Sequence, residues 1–79
     1  MRKESNPRFK ATPRMHEIRR QRGFSGKELA EKVGVTEPTI SRFDSQKRYD
    51  IDVLISVSKA LGVKVEELFL IEENEETDQ

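Results

Sequence analysis

From residue 13 onward, apolar residues recur at intervals of three and four, the spacing of helices buried along one face. The first predicted helix runs from about Pro13 to Arg22, with Met15, Ile18 and the stem of Arg22 inward, and Gly23 stops it. Ser25, followed three residues later by Glu28, is a capping box that starts the second helix. Its inner positions are Leu29, Ala30 and Val33, and Gly34 ends it. A third helix spans about 36–45, with Ile40 and Phe43 inward. The fourth is capped by Asp50 or Asp52 and carries Leu54, Ile55, Val57, Ala60 and Leu61 as far as Gly62. A short fifth helix covers about Val65 to Leu70. No run alternates long enough to predict a sheet. The expected fold is therefore all-α, five short helices around one core.

The flanks differ in kind. Residues 1–12 are basic and aperiodic and read as a flexible arm, while the apolar-free residues 72–79 read as a disordered acidic tail. Between them, residues 13–71 form the one domain that 79 residues can build. The chain has no cysteine, so neither disulfides nor thiolate metal sites are expected to hold it together. No apolar run is long enough for a membrane span or a secretory segment, and a cytoplasmic protein is the simplest expectation.

Charge changes the picture. The formal net charge is zero, but residues 1–48 hold 13 Lys/Arg against 6 Asp/Glu, and residues 49–79 hold 2 against 9. The first part carries +7 and the second −7. A basic half suits a phosphate backbone, although solvated surface charge alone gives the same count.

The second and third helices carry the sharper signal. Ala30 is small where two helices would approach closely, and Gly34, four residues on, can take the left-handed conformation of a tight interhelical turn. Val35 then plugs the corner and Ile40 is the first buried residue of the next helix. This spacing describes a helix-turn-helix, parts of which a plain helical corner shares.

The stretches "IRRQRGFSGKELAEKVGVTEPTISRFDSQKR" and "LISVSKALGVKVEELF" resemble the lambda-repressor-like, Cro or XRE type, helix-turn-helix domain of bacterial and phage regulators. The likeness covers about residues 14–70, and its best markers are "KELAEKVGVT", "TISRF" and "ALGVKVEEL". It implies a five-helix domain whose third helix enters the major groove of double-stranded DNA. It also implies a cytoplasmic transcriptional regulator, a repressor of bacterial or prophage origin, working as a homodimer on a two-fold site.

With Ile40 and Phe43 inward, the opposite stripe of the third helix presents Glu37, Pro38, Ser41, Arg42 and Ser45. The candidate base readers are Thr36, Glu37, Pro38, Ser41 and Arg42. Arg42 leads, because a guanidinium pairs bidentately with guanine; a phosphate contact is its alternative. Pro38 stands in the first helical turn, where its missing N–H loses no bond, and its ring can touch a thymine methyl. Glu37 can accept from a cytosine amino group or simply favour the positive end of the helix dipole.

Candidate phosphate contacts are Ser25, Gly26 and Lys27 at the start of the second helix, and Thr39, Ser45, Lys47 and Arg48 on and after the third. Thr39 has a capping role as its alternative. The resemblance places an ion pair between Arg19 and Asp44. Four positions depart from the family pattern: Gly26 for glutamine, Asp44 for glutamate, Gln46 for glycine, and Tyr49 for a proline. If position 46 needs positive φ, Gln46 is strained by about 1 kcal/mol.

Phe69, Leu70 and Ile71 form an apolar run that a short last helix cannot wholly bury, and they are the candidate dimer interface. The arm's Arg2, Lys3, Arg8, Lys10 and Arg14 either reach DNA or stay solvated. His16, the only histidine, has no nucleophile or metal-ligand cluster beside it in the sequence, so no catalysis, metal or cofactor is expected. The rival reading is a protein-interaction module, such as the antitoxin of a toxin–antitoxin pair, whose acidic tail folds against a basic partner.

Overall fold

Met15, Ile18, Leu29, Ala30, Ile40, Phe43, Val57, Leu61 and Leu68 close on one another to form the core, each at most 7% exposed. They come from every helical segment of the chain, so no segment buries its apolar face alone. The structure is a computed structural model and describes residues 7–74.

The order of elements is β1 (Phe9–Pro13), α1 (Met15–Gln21), α2 (Gly26–Val33) and α3 (Glu37–Ser41). A 3-10 turn (Phe43–Ser45), α4 (Ile51–Leu61), a second 3-10 turn (Val65–Leu68) and β2 (Phe69–Glu73) follow. Two of the helices are bounded by local chemistry, α2 and α4. Ser25 caps α2 through the expected box: its Oγ accepts from Glu28 N–H at 3.0 Å, and Glu28 Oε1 accepts from Ser25 N–H at 2.9 Å. Asp50 caps α4, accepting from the N–H of Asp52 and Val53. Gly34 at φ +92° and Gly62 at φ +73° end α2 and α4 in the left-handed region that L side chains disfavour.

The all-α, five-helix expectation is corrected. The described residues form four α-helices and a two-stranded antiparallel sheet. The register pairs Phe9 with Glu73, Lys10 with Glu72, Ala11 with Ile71, Thr12 with Leu70 and Pro13 with Phe69. Part of the stretch read as an arm is thus a strand, Glu72 and Glu73 of the stretch read as a disordered tail belong to its partner, and the fifth helix stops after one 3-10 turn at Leu68. Phe69 is extended, at φ −131° and ψ 150°, because β1 offers its backbone a partner from 56 positions upstream. Pro13 fits the strand for a matching reason. The bonds Arg14 N–H to Leu68 C=O (2.9 Å) and Asn74 N–H to Arg8 C=O (2.6 Å) show that even-numbered residues of β1 face the ladder. Pro13 falls on the outward parity, where no N–H is required. Arg2 and Lys3 of the arm, and residues 75–79 of the tail, lie outside the described residues.

Other boundaries shift. The first helix begins at Met15, since Pro13 belongs to the sheet. The third is α-helical only over Glu37–Ser41; Arg42, at φ −91° and ψ 0°, joins it to the 3-10 turn. Ile55, expected inside, is 43% exposed, while Ser58 is buried and bonds the Ile55 carbonyl through its Oγ at 2.8 Å. No helix among the described residues is long and apolar enough to cross a membrane.

Candidate nucleic-acid interface

The α2–α3 corner is set by backbone bonds. Gly34 N–H and Val35 N–H both donate to Ala30 C=O, at 2.8 and 3.0 Å, and turn the chain within two residues. Ala30 is 3% exposed beneath this turn, so its methyl group sits where a larger side chain would separate the helices. Val35 packs on the core beside it. From here α3 emerges with Ile40 and Phe43 buried beneath it.

The opposite stripe is open. Thr36, Glu37, Pro38, Ser41 and Arg42 are all exposed, so all five candidate base readers share one surface. Glu37 and Pro38 are the first two helical residues, positions whose N–H groups have no partner within the helix. Thr36 is the N-cap residue, but its side chain does not bond the helix N–H groups. It meets the Thr39 hydroxyl at 2.9 Å instead. Arg42 stands at the helix end, not within it, and Ser45 Oγ donates to its carbonyl at 3.1 Å.

The candidate phosphate contacts bracket this stripe. Ser25, Lys27, Ser45, Lys47 and Arg48 are exposed, while Gly26 and Thr39 are half-buried. Gly26 is the first residue of α2, with no atom within 4 Å of where a Cβ would stand. A flat approach to that helix end is therefore open. The Ser25 backbone N–H, and next its hydroxyl, hold the Glu28 carboxyl below its usual range. An acid near the binding surface is thus kept ionised and occupied by its own cap.

The expected Arg19–Asp44 ion pair is replaced by another arrangement. Asp44 Oδ1 accepts from Met15 N–H at 2.9 Å and Oδ2 from His16 N–H at 3.0 Å, so the carboxylate caps α1. Arg19 donates from Nη1 to Phe24 C=O at 2.7 Å and from Nε to His16 Nδ1 at 3.1 Å. Held on the 3-10 turn, Asp44 reaches backbone N–H groups at the start of α1, and Arg19 serves the loop that follows the same helix.

Gln46 is at φ −96° and ψ 157°, an extended conformation, so the strain contemplated for it is absent. Tyr49, in place of the family's proline, donates its hydroxyl to Phe43 C=O at 2.6 Å. Its ring lies 4.8 Å from Phe43 and 5.6 Å from Phe69, centroid to centroid. Burial, and then the negative charge of Asp44, push the Tyr49 phenol above its ordinary value.

Sequence reasoning missed three residues that position the reading surface: Asp44 as a cap, Tyr49 as a clamp, and His16. With Nδ1 accepting from Arg19, the ring presents Nε2–H toward Ser41 C=O at 3.4 Å, across from α1 to α3. The family resemblance had marked Asp44 as structural and Tyr49 as a departure, but it gave neither of these partners.

A helix-turn-helix whose second helix is open along one side defines a DNA-binding class of domain. The chain belongs to the Cro/C1-type HTH DNA-binding domain family, whose model matches residues 14–74. Among solved structures it is similar to a chain of a SinR protein/SinI protein complex, with 36% identity and a TM-score of 0.63. That match covers 68% of this chain and 54% of the other, so the chain spans about half the length of that relative. It is similar also to SinR, the master regulator for biofilm formation, in complex with DNA. Identity there is 36% and the TM-score 0.63, over 68% of this chain and 89% of that one. No curated protein matches the chain.

Proposed function

We propose that this protein is a sequence-specific transcriptional regulator, a repressor, that inserts α3 into the major groove and binds a two-fold operator as a homodimer. The observation that carries the reading is the open stripe of Thr36, Glu37, Pro38, Ser41 and Arg42 above the buried Ile40 and Phe43. The face is polar, ends in an arginine and follows a tight helix-turn-helix corner, which is the geometry a groove-inserting helix needs. The solved relative bound to DNA supports the same use.

Arg42 is the principal reader in this proposal. At the end of α3 its long side chain can reach along the groove floor, where bidentate pairing with guanine discriminates by ~1–3 kcal/mol. Thr36, Pro38 and Ser41 supply shorter contacts, and Glu37 is restricted to a cytosine amino group or to no base. Phosphates are held by the α2 start (Ser25, Gly26, Lys27), by Thr39 and Ser45, and by Lys47 and Arg48 beyond the 3-10 turn. The test is selection from a random duplex library at a stated salt concentration. A single enriched motif is expected, and Arg42→Ala should relax it at one or two positions. If no motif is enriched, the regulator reading fails.

A second reading, the protein-interaction module, draws support from the solved relative that is held in a complex with another protein. Under it, removing residues 75–79, which leaves β2 whole, abolishes partner binding and leaves DNA binding intact.

A further inference from the structure

We infer that the outer face of the β1–β2 ribbon is the surface on which a second copy of this chain docks, in a two-fold arrangement centred on Ala11 and Ile71. The inference rests on the homodimer reading and assigns it a surface.

The ladder parity divides the ribbon into two unlike faces. Arg8, Lys10, Thr12, Leu70, Glu72 and Asn74 lie on one, which is polar apart from Leu70. Phe9, Ala11, Pro13, Phe69, Ile71 and Glu73 lie on the other, which is apolar apart from Glu73 at its tip. Alternation of this kind normally marks a face that is covered. Only its base is covered here. Pro13 and Phe69 are half-buried, whereas Phe9 is 58% and Ile71 40% exposed. A two-stranded ribbon with an open apolar face is marginal in water unless something packs on it.

The shape of the face identifies the occupant. At its base lies a groove of about 480 Å³ lined by Ala11, Pro13, Gln46, Lys47, Tyr49 and Phe69. At its tip stand an exposed aromatic ring, Phe9, and, directly opposite in the register, the acid Glu73. The Pro13–Phe69 pair that lines the groove and the Phe9–Glu73 pair at the tip flank the middle pair Ala11–Ile71, each two residues or roughly 7 Å along the strand. A two-fold axis through that pair brings the Phe9 ring of each copy over the other's aromatic groove. The same rotation repeats the contact on the other side, so knob meets hole twice. A surface complementary to itself under a two-fold rotation is what an isologous dimer requires. Gln46 and Lys47 also line the groove, and Lys47 is one of the proposed phosphate contacts, so docking here would also fix the spacing of two reading helices.

The test needs no DNA, which separates it from the reading of bases. Sedimentation equilibrium should give a dimer for the parent chain, and Phe9→Asp should raise its dissociation constant about tenfold or more with an unchanged circular dichroism spectrum. Because the chain has no cysteine, Ala11→Cys introduces a single thiol. Placed beside the axis, it should form an interchain disulfide on mild oxidation, while Ile51→Cys, exposed on α4, should not. A monomeric parent, a dimer indifferent to Phe9→Asp, or equal crosslinking from both cysteine variants would overturn the proposal. Loss of site selection by Arg42→Ala with an intact dimer would leave it standing.

Discussion

The carboxylate of Asp44 caps the helix that begins at Met15, 29 residues earlier, accepting from the N–H of Met15 at 2.9 Å and of His16 at 3.0 Å. The bond couples the turn that follows α3 to the first helix of the core. It offers a route by which a residue outside the DNA surface sets the angle of α3.

Asp44→Ala should therefore lower stability by about 2 kcal/mol, at the upper end for a lost cap because Met15 is fully buried. In a domain this small that is a fall of roughly 10 °C in Tm. Asp44→Asn, which keeps one acceptor, should fall between. Thermal unfolding followed by circular dichroism measures both, and an unchanged Asp44→Ala transition would mean the cap contributes nothing.

Two glycines should respond in opposite directions. Gly34→Ala forces a Cβ into the left-handed region and should destabilise by ~1–2 kcal/mol, although space for the methyl exists. Gly26, in the first turn of α2, has equally open surroundings and no such conformation. Gly26→Ala should stabilise by ~0.5 kcal/mol, and urea unfolding of the pair gives the sign of each. Gly26→Gln, restoring the side chain that the family resemblance leads one to expect, should tighten DNA binding.

The salt dependence of operator affinity reports the phosphate contacts. Lys47→Ala and Arg48→Ala should each reduce the slope of log K against log salt by ~0.9 and weaken all duplexes alike. Arg42→Ala should instead change which duplex is preferred. A slope unaltered by either of the first two variants would place the backbone contacts elsewhere.

Tyr49 links stability to alkaline pH. Burial first, and the charge of Asp44 second, raise its phenol above the ordinary 10.0, so the fold favours the neutral form. That contribution is complete below the unfolded value and is lost as pH rises through the folded one. Tyr49→Phe should cost ~1 kcal/mol at neutral pH through the lost bond to Phe43 C=O, and should flatten the decline above pH ~10. Denaturant midpoints across that range test both effects. The acid side has the opposite sign. The depressed Glu28 carboxyl contributes above its ordinary value, and that contribution disappears as pH falls through the folded one.

Much of the fold was legible because its signals are local. The Ser25–Glu28 box, Gly34 and Gly62 each act within four residues of chain, and their neighbours alone decide them. The buried faces of α1, α2 and α3 follow from helical period in the same way. The candidate readers were legible for that reason too, since Ile40 and Phe43 point inward and leave Ser41 and Arg42 outside.

What failed was non-local. "FKATP" and "FLIEE" are too short to declare themselves as strands, and each is extended only because the other supplies its hydrogen bonds across more than 50 residues. The Arg19–Asp44 pair was expected from resemblance, but the carboxylate accepts from backbone N–H groups at the start of α1 instead. By itself, then, the sequence determined the presence of four helices, the caps of α2 and α4 and the side of α3 that faces outward, because these depend on chemistry within one turn of helix. Tertiary structure alone decided that Asp44 caps α1 and that Tyr49 holds the turn after α3. It also decided that the two ends of the domain meet as a ribbon with one apolar face, since each needs a partner that folding must first bring near.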